Sequence, residues 1–503
     1  MKKLLALVLA LVMLTALVPF SAMAEEVTTI KVLAKTWTPY NPEETSIWDE
    51  LAARTGVKIE FIWTPNTNYE EKVNTVLASG DLPDAIMGAN ISLLLNQGAI
   101  IPLDDLLAEK CPNYLALLKD VDDPYLRNPD DGQMYYISYI MDFAPSMSFL
   151  YRADWAADAG MDTPETWADW MAYWEWVRDN DANGNGDPND EIPIVENNTD
   201  NLLKLANWFD MRVHNNYFAS DLEGNLVPLF EHPNFKTYLE TMIDLYNNGI
   251  LDKEFATRSD TYKSVLDTGV AASSYYYAER ANLTTAVLRD SGDADAAFLG
   301  VAPPTYYENG TRSIQARTRV ENSGIAITVA AEERGTVDAI LKLWNYIYSE
   351  EGGNLVRYGI EGRHHTKDGD KFLYTDEVLS GAFTSARKSG VIPSVIAFPW
   401  DEASYMQILT AGKSYEELTP NMQYFYDALY MNEPYFYSLV PMFNTTSYVE
   451  YGAELTSKLT SIFARTVVGE LTVDQFYAEY DNIKAEGWQD IIDEQIETYN
   501  KLK

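Results

Sequence analysis

Cysteine is nearly absent from this sequence. Cys111 is the only one in 503 residues, which excludes an intrachain disulfide and any disulfide-stapled scaffold. Histidine is almost as rare: His214, His232, His364 and His365 are the four, and none stands in H-E-x-x-H or another zinc spacing. Neither a G-x-S-x-G elbow nor a P-loop occurs, so two common routes to catalysis lack their residues. Positive charge is scarce as well, with 37 Lys and Arg against 76 Asp and Glu and a formal net charge of −39. Phosphate binding needs clustered Lys and Arg to displace counterions, which argues against nucleic acid as a partner. Such an acidic balance suits solubility in a cation-containing exterior. Past the N-terminus no stretch approaches the ~20 apolar residues that span a bilayer.

The N-terminus itself is different. Lys2 and Lys3 precede an apolar run from Leu4 to about Phe20, then Ser21-Ala22-Met23-Ala24. This is the layout of a signal peptide over residues 1–24, with cleavage expected after Ala24. Loss of the two lysines takes the charge from −39 to −41. No lipid-modifiable Cys follows, so the expectation is an exported chain, periplasmic or extracellular, without a lipid anchor. Hydrophobic residues at 47% and charged ones at 22% give the balance of a folded globule of roughly two to four domains.

Alternating apolar runs at 28–34, 57–63 and 83–89 read as strands, and the segments 46–55 and 69–80 between them have helical spacing. Strand, helix, strand, helix, strand implies βαβ crossovers and a mainly parallel sheet. The pattern resumes at 298–307 and 324–330, ahead of a helix-like 336–349. An α/β domain interrupted by a more helical section explains this order. Within that section Thr166 and Asp169 form a capping box. Trp167, Trp170, Met171, Trp174 and Val177 then fall along one helical face. These tryptophans are expected in the core.

That helix runs into "DNDANGNGDPNDEIPI", residues 179–194. Calcium takes six to eight oxygens, and an EF-hand-type loop offers them at alternate positions with glycine sixth. With Asp181 first, Asn183 is third, Asn185 fifth, Gly186 sixth, and Asp187 offers a backbone carbonyl. The twelfth position is Ile192, and the acids arrive early as Asp190 and Glu191. A shortened loop closes if Glu191 chelates with both oxygens and Asp190 adds one. The competing reading is a plain Asn/Gly/Asp turn. Magnesium suits the set less well, because it demands tighter octahedral geometry. With no second loop of this kind, the ion is expected to be structural.

Several longer words carry a resemblance. "LASGDLPDAI" (77–86), "NQGAIIPLDDLL" (96–107), "DGQMYYIS" (131–138) and "FLYRADWAADAGMDTPETWADW" (149–170) are followed by "LYNNGILDKEF" (245–255). "DTGVAAS" (267–273), "WNYIYSEEGGNLVRYGIEGRHHT" (344–366) and "VGELTVDQF" (468–476) complete the series. In this order they resemble the extracellular solute-binding proteins, family 1, and its large branch that binds alginate, fructo-oligosaccharide and other complex sugars. The resemblance implies a bilobal periplasmic-binding-protein-like fold, two α/β lobes with a hinge and a ligand cleft. It implies a non-enzymatic, monomeric component of an ABC importer that hands an oligosaccharide to a membrane permease. One lobe is expected at 25–143 and 304–362, the other at 144–303 and 363–503. Branch members carry a calcium loop after the tryptophan helix, which implies Asp181, Asn183, Asn185, Asp187, Asp190 and Glu191 as ligands. Many place the double acid one residue earlier, which leaves the Asp187 carbonyl open. Gram-positive members usually have a lipid-bearing Cys after the signal, and this sequence departs from them there.

A sugar cleft needs flat aromatic faces and polar partners for hydroxyls. The chain has 34 Tyr and 12 Trp against 18 Phe, so aromatics with a polar handle dominate. Clusters after strands nominate Trp37, Tyr40, Tyr275, Tyr276, Trp400 and Tyr405, with Arg280, Asp401 and Glu402 as polar partners. Tyr139 and Arg319 are further candidates. The acidic charge favours a neutral oligosaccharide, although salt screens beyond about 8 Å. An oligopeptide-binding protein of the same bilobal type is the alternative, and a secreted glycoside hydrolase the less favoured one.

Overall fold

A computed structural model describes residues 27–36, 46–119, 126–142, 147–196, 198–258, 265–317, 320–375, 378, 399–401, 406–407, 410 and 412–503. The signal segment 1–24 and the nominated Trp37, Tyr40, Arg319, Glu402 and Tyr405 lie outside these residues.

Ten strands build the two principal sheets among the described residues. In chain order they are β1 (Thr28–Thr36), β2 (Val57–Pro65), β3 (Ala85–Met87), β4 (Ile137–Asp142) and β5 (Met147–Arg152). There follow β6 (Ile192–Ile194), β7 (Ala271–Tyr277), β8 (Phe298–Val301), β9 (Val320–Ile327) and β10 (Pro399–Asp401). The first sheet has the order β10-β4-β9-β3-β1-β2, the second β8-β5-β7-β6. Helices used below are α1 (Ser46–Thr55), α2 (Tyr69–Ser79), α3 (Ile91–Asn96), α4 (Trp167–Asp179) and α5 (Thr199–Lys204). The others are α6 (Phe235–Asn247), α7 (Glu279–Asp290), α8 (Thr446–Val467) and α9 (Gln489–Leu502).

β1, β2 and β3 are parallel and joined through α1 and α2, as the apolar periodicity predicts. Ile30, Val32, Leu33 and Ala34 of β1 are all buried, the mark of a central strand covered on both faces. β9 runs antiparallel to both β3 and β4, so β4 points the same way as β1–β3. The approach of β9 to β4 is very close at Gly324, where a Cβ would fall 2.0 Å from the Ile137 carbonyl oxygen. Only glycine fits there.

β4 ends at Asp142 in the first sheet, and β5 begins at Met147 in the second. The crossing from the first sheet to the second therefore falls on residues 143–146 of the chain, which lie outside the described residues. Tyr277, the last residue of β7, pairs with Met147, and β6 is parallel to β7. The carboxyl ends of β6 and β7 thus face the crossing. So do the carboxyl ends of β1, β2 and β3. β10 departs from expectation: residues 399–401, assigned above to the second lobe, pair with 140–142 of β4 in the first sheet. A returning strand there covers backbone groups that would otherwise form an open sheet edge.

Each sheet has its own core. Ile47, Leu51, Ile86, Leu94 and Trp344 pack around the first, while the aromatic second core gathers Trp170, Trp174, Trp208 and Phe209. The capping box of α4 is present: Asp169 N donates to Thr166 Oγ1 (3.2 Å), and Thr166 N donates to Asp169 Oδ2 (2.9 Å). Such a cap contributes about 1 kcal/mol. Trp170, Trp174 and Val177 are fully buried, and Trp167 and Met171 pack beside them. Trp170 stands edge-on to Phe149 at 5.1 Å. Aromatic pairs of this kind add roughly 0.5–1.5 kcal/mol beyond area burial.

Candidate ligand cleft and cation loop

Ligands of open α/β sheets sit outside the carboxyl ends of the strands. At the first sheet's end, Lys35 Nζ donates to the Gly88 carbonyl oxygen (3.3 Å) and lies 5.8 Å from the Tyr69 ring centroid. Tyr69 in turn donates its hydroxyl to the Met87 carbonyl (2.5 Å), fixing the turn after β3. On β2, alternate residues share a face, and Phe61 and Trp63 stack there at 4.2 Å.

At the second sheet's end the tyrosine triplet divides. Tyr275 is only 3% exposed and belongs to the second core, so its ring supports the sheet and offers no face to a ligand. Tyr276 is half-buried, against Tyr277 at 4.8 Å. Tyr277 is 44% exposed; it is the residue that strand-end position would have selected. Arg280 is also a correction. It is buried in α7 and ion-paired to Asp267 at 3.3 Å, with Thr284 Oγ1 donating to the same carboxylate at 2.7 Å. It braces the helix against the segment before β7. Trp400 and Asp401 pair with Met141 and Asp142, which places them beside the crossing. Tyr139, in β4, packs on the first core.

Both cores also border a groove of about 610 Å³. Asn90, Tyr135 and Tyr136 line it on one side, and Phe443, Asn444 and Lys501 on the other. Asn90 caps α3 by accepting from Ser92 N (3.0 Å) and Leu93 N (3.1 Å), and its amide donates to Asn444 Oδ1 (3.3 Å). The loop bearing Asn444 is clamped to α9: Phe443 N donates to Gln495 Oε1 (2.8 Å) and Ser447 Oγ to Glu494 Oε1 (2.8 Å). Among the described residues, none of the nominated ligand residues lines this groove. Sequence reasoning missed its residues because Asn444 lies 354 positions from Asn90; the Asn-Ile-Ser start of α3 was the only local signal.

The loop after α4 is held from within. Asp181 Oδ2 accepts from Gly186 N (2.9 Å), Asn183 Oδ1 from Asn185 N (2.9 Å), and Asn185 Oδ1 from Asp187 N (2.7 Å). Gly186, at φ 94°, takes the positive dihedral that the sixth position needs. Asn183 and Asn185 turn their amide nitrogens onto Asp190, at 3.1 and 2.6 Å. Glu191 is 8% exposed; its Oε1 accepts from Asn183 N (3.2 Å), and its Oε2 is buried without a partner. Burial pushes this carboxyl up from its usual range. Among the described residues no three His, Cys, Asp or Glu side chains converge as a metal cluster. The donors here fit a hard cation nonetheless, because the set is all oxygen and half of it is amide. Rotating the Asn183 and Asn185 amides exchanges nitrogen for oxygen, and the orphaned Glu191 oxygen adds a further donor. Asp187 Oδ1 accepts from Asn189 N (3.2 Å), a further hydrogen bond inside the loop.

The profile of the bacterial extracellular solute-binding proteins matches residues 41–354. Lipoprotein LipO of Bacillus subtilis is 22% identical over 499 residues, covering 94% of this chain and 93% of that one. The fructooligosaccharide ABC transporter substrate-binding protein FusA of Streptococcus pneumoniae is 29% identical over 234 residues, 43% of each chain. The crystal structure of alginate-binding protein AlgQ2 without calcium ion superposes with a TM-score of 0.76 at 21% identity, over 94% of this chain and 98% of that one. A profile match across more than half of its length, with two α/β sheets joined by a short crossing, makes this chain a bacterial extracellular solute-binding protein of bilobal fold.

Proposed function

We propose that this protein is the exported, monomeric substrate-binding component of an ABC importer. It captures a neutral oligosaccharide between its lobes by hinge closure and delivers it unaltered to a membrane permease. One observation carries the reading: the carboxyl ends of parallel strands from two separate sheets face each other across four residues. Closure between two lobes needs only a few residues to absorb the dihedral change. The lobes are assigned as 25–143 with 304–362 and 144–303 with most of 363–503, the strand at 399–401 excepted. The kinship with FusA supports a carbohydrate ligand, and the net charge of −39 disfavours a polyanionic one. Calcium is the structural ion of this reading, held by Asp181, Asn183, Asn185, the Asp187 carbonyl, Asp190 and Glu191. It supplies positive charge that a buried carboxylate lacks. Thermal shifts against panels of neutral glycans, polyuronates and peptides test the proposal. A ligand at 100 times its Kd adds about 2.7 kcal/mol. Neutral glycans should give the shift; a shift with peptides alone, or release of cleaved sugar, overturns it.

A further inference from the structure

Five residues after Glu191, a second acid is buried more completely. Glu196 is 0% exposed. It lies just beyond the last residue of β6, at the sheet end that faces the crossing. Its Oε1 accepts the backbone N–H of Tyr275 (2.9 Å), so a side chain continues the ladder where β6 has stopped. Among the described residues its buried Oε2 has no hydrogen-bond partner. A charged carboxylate in that state costs far more than a neutral acid.

Among the described residues no cation pairs with it directly, and the positive charge that acts on it, Lys204 at the end of α5, offsets only part of the cost of burial. Lys204 is half-buried, its amine donates to Asn201 Oδ1 at 3.4 Å, and burial lowers its basicity. Asp252 is a second anion nearby, already paired with Arg258. Tyr238 of α6 gives its hydroxyl to the Leu202 carbonyl (2.5 Å), and the buried Tyr275 hydroxyl has no partner among the described residues. Desolvation, the largest influence on Glu196, pushes its carboxyl up to about 8.

We propose that Glu196 is a proton-carrying support of the cleft-facing end of the second sheet, holding Tyr275 as the neutral acid and loosening that end when it ionises. The device rests on the proposed function only for what lies beyond that end. Because the native state keeps a proton that the unfolded chain gives up near 4.5, stability falls as pH rises from about 4.5 to about 8, and is constant above. Glu196→Gln keeps shape and the Oε1 acceptor while removing the titration. The test is denaturant unfolding of the whole chain and of Glu196→Gln across that window. Expected is a wild-type unfolding constant that grows about tenfold per pH unit relative to the variant. A ratio independent of pH across that window overturns the inference, because it marks a Glu196 already charged beside Lys204; the opposite slope overturns it as well. If Glu196→Gln does not fold, the infrared band of a protonated carboxyl in the wild type near neutral pH decides, and its absence overturns the proposal. Saccharide binding is read separately: glycan shifts without proton linkage strike this inference alone, and proton linkage without any glycan shift strikes the proposed function alone.

Discussion

Glu191 and Glu196 stand on either side of the three-residue strand β6, and they meet the same difficulty in different ways. Each gives one oxygen to a backbone N–H and leaves the other buried and unpartnered. Around Glu191 lies an exposed loop of oxygen donors, so in our reading a cation enters and neutralises it. Glu196 has a closed aromatic core around it, a half-buried lysine and a second anion, so a proton does that work. Local chemistry is alike at the two positions. What differs is whether a multivalent ion can reach the orphaned oxygen.

The largest effect should come from breaking what both carboxylates share. Trp174 Nε1 donates to Ser273 Oγ (3.0 Å), which donates to the Pro193 carbonyl (2.6 Å) in the middle of β6. Trp174→Ala should lower stability by about 3–5 kcal/mol, measured by denaturant unfolding, and should weaken both the calcium response and the proton linkage. Calcium depletion should come next. Chelator should remove about 2.7 kcal/mol from protein held at 100 times its calcium Kd, read as a fall in Tm. Glu191→Gln should lose most of that response and Glu196→Gln should keep it; equal losses in the two would erase the contrast. Ser273→Ala leaves the Trp174 N–H unsatisfied and should cost about 1–3 kcal/mol, by the same unfolding assay. Thr166→Ala, at the far end of α4, should cost about 1 kcal/mol. It should leave the calcium response and the pH slope untouched.

Much of the architecture was readable along the chain. The alternation of β1 and β2, the helical spacing of α1 and α2, and the Thr166–Asp169 box are local patterns that tertiary contacts reinforce. The tryptophan face of α4 lies in the core for the same reason. The cleft was less legible. "SSYYYAER" offers three tyrosines and an arginine, yet Tyr275 supports the core, Arg280 braces α7 on Asp267, and Tyr277 reaches solvent. Position in the strand decides this, and a strand's end shifts by a residue without changing composition. The return of 399–401 to the first sheet was invisible for a related reason: three residues carry too little periodicity to announce a partner.

The chain by itself determined the α/β class, the helix caps, the oxygen-rich loop and the shortage of positive charge, because each depends on residues within a few positions of one another. Which carboxylate would be buried beyond the reach of ions, and which residues from opposite ends of the chain would share a groove, only the tertiary structure decided. Burial and electrostatic isolation depend on what packs around a group, and those neighbours lie far away in sequence.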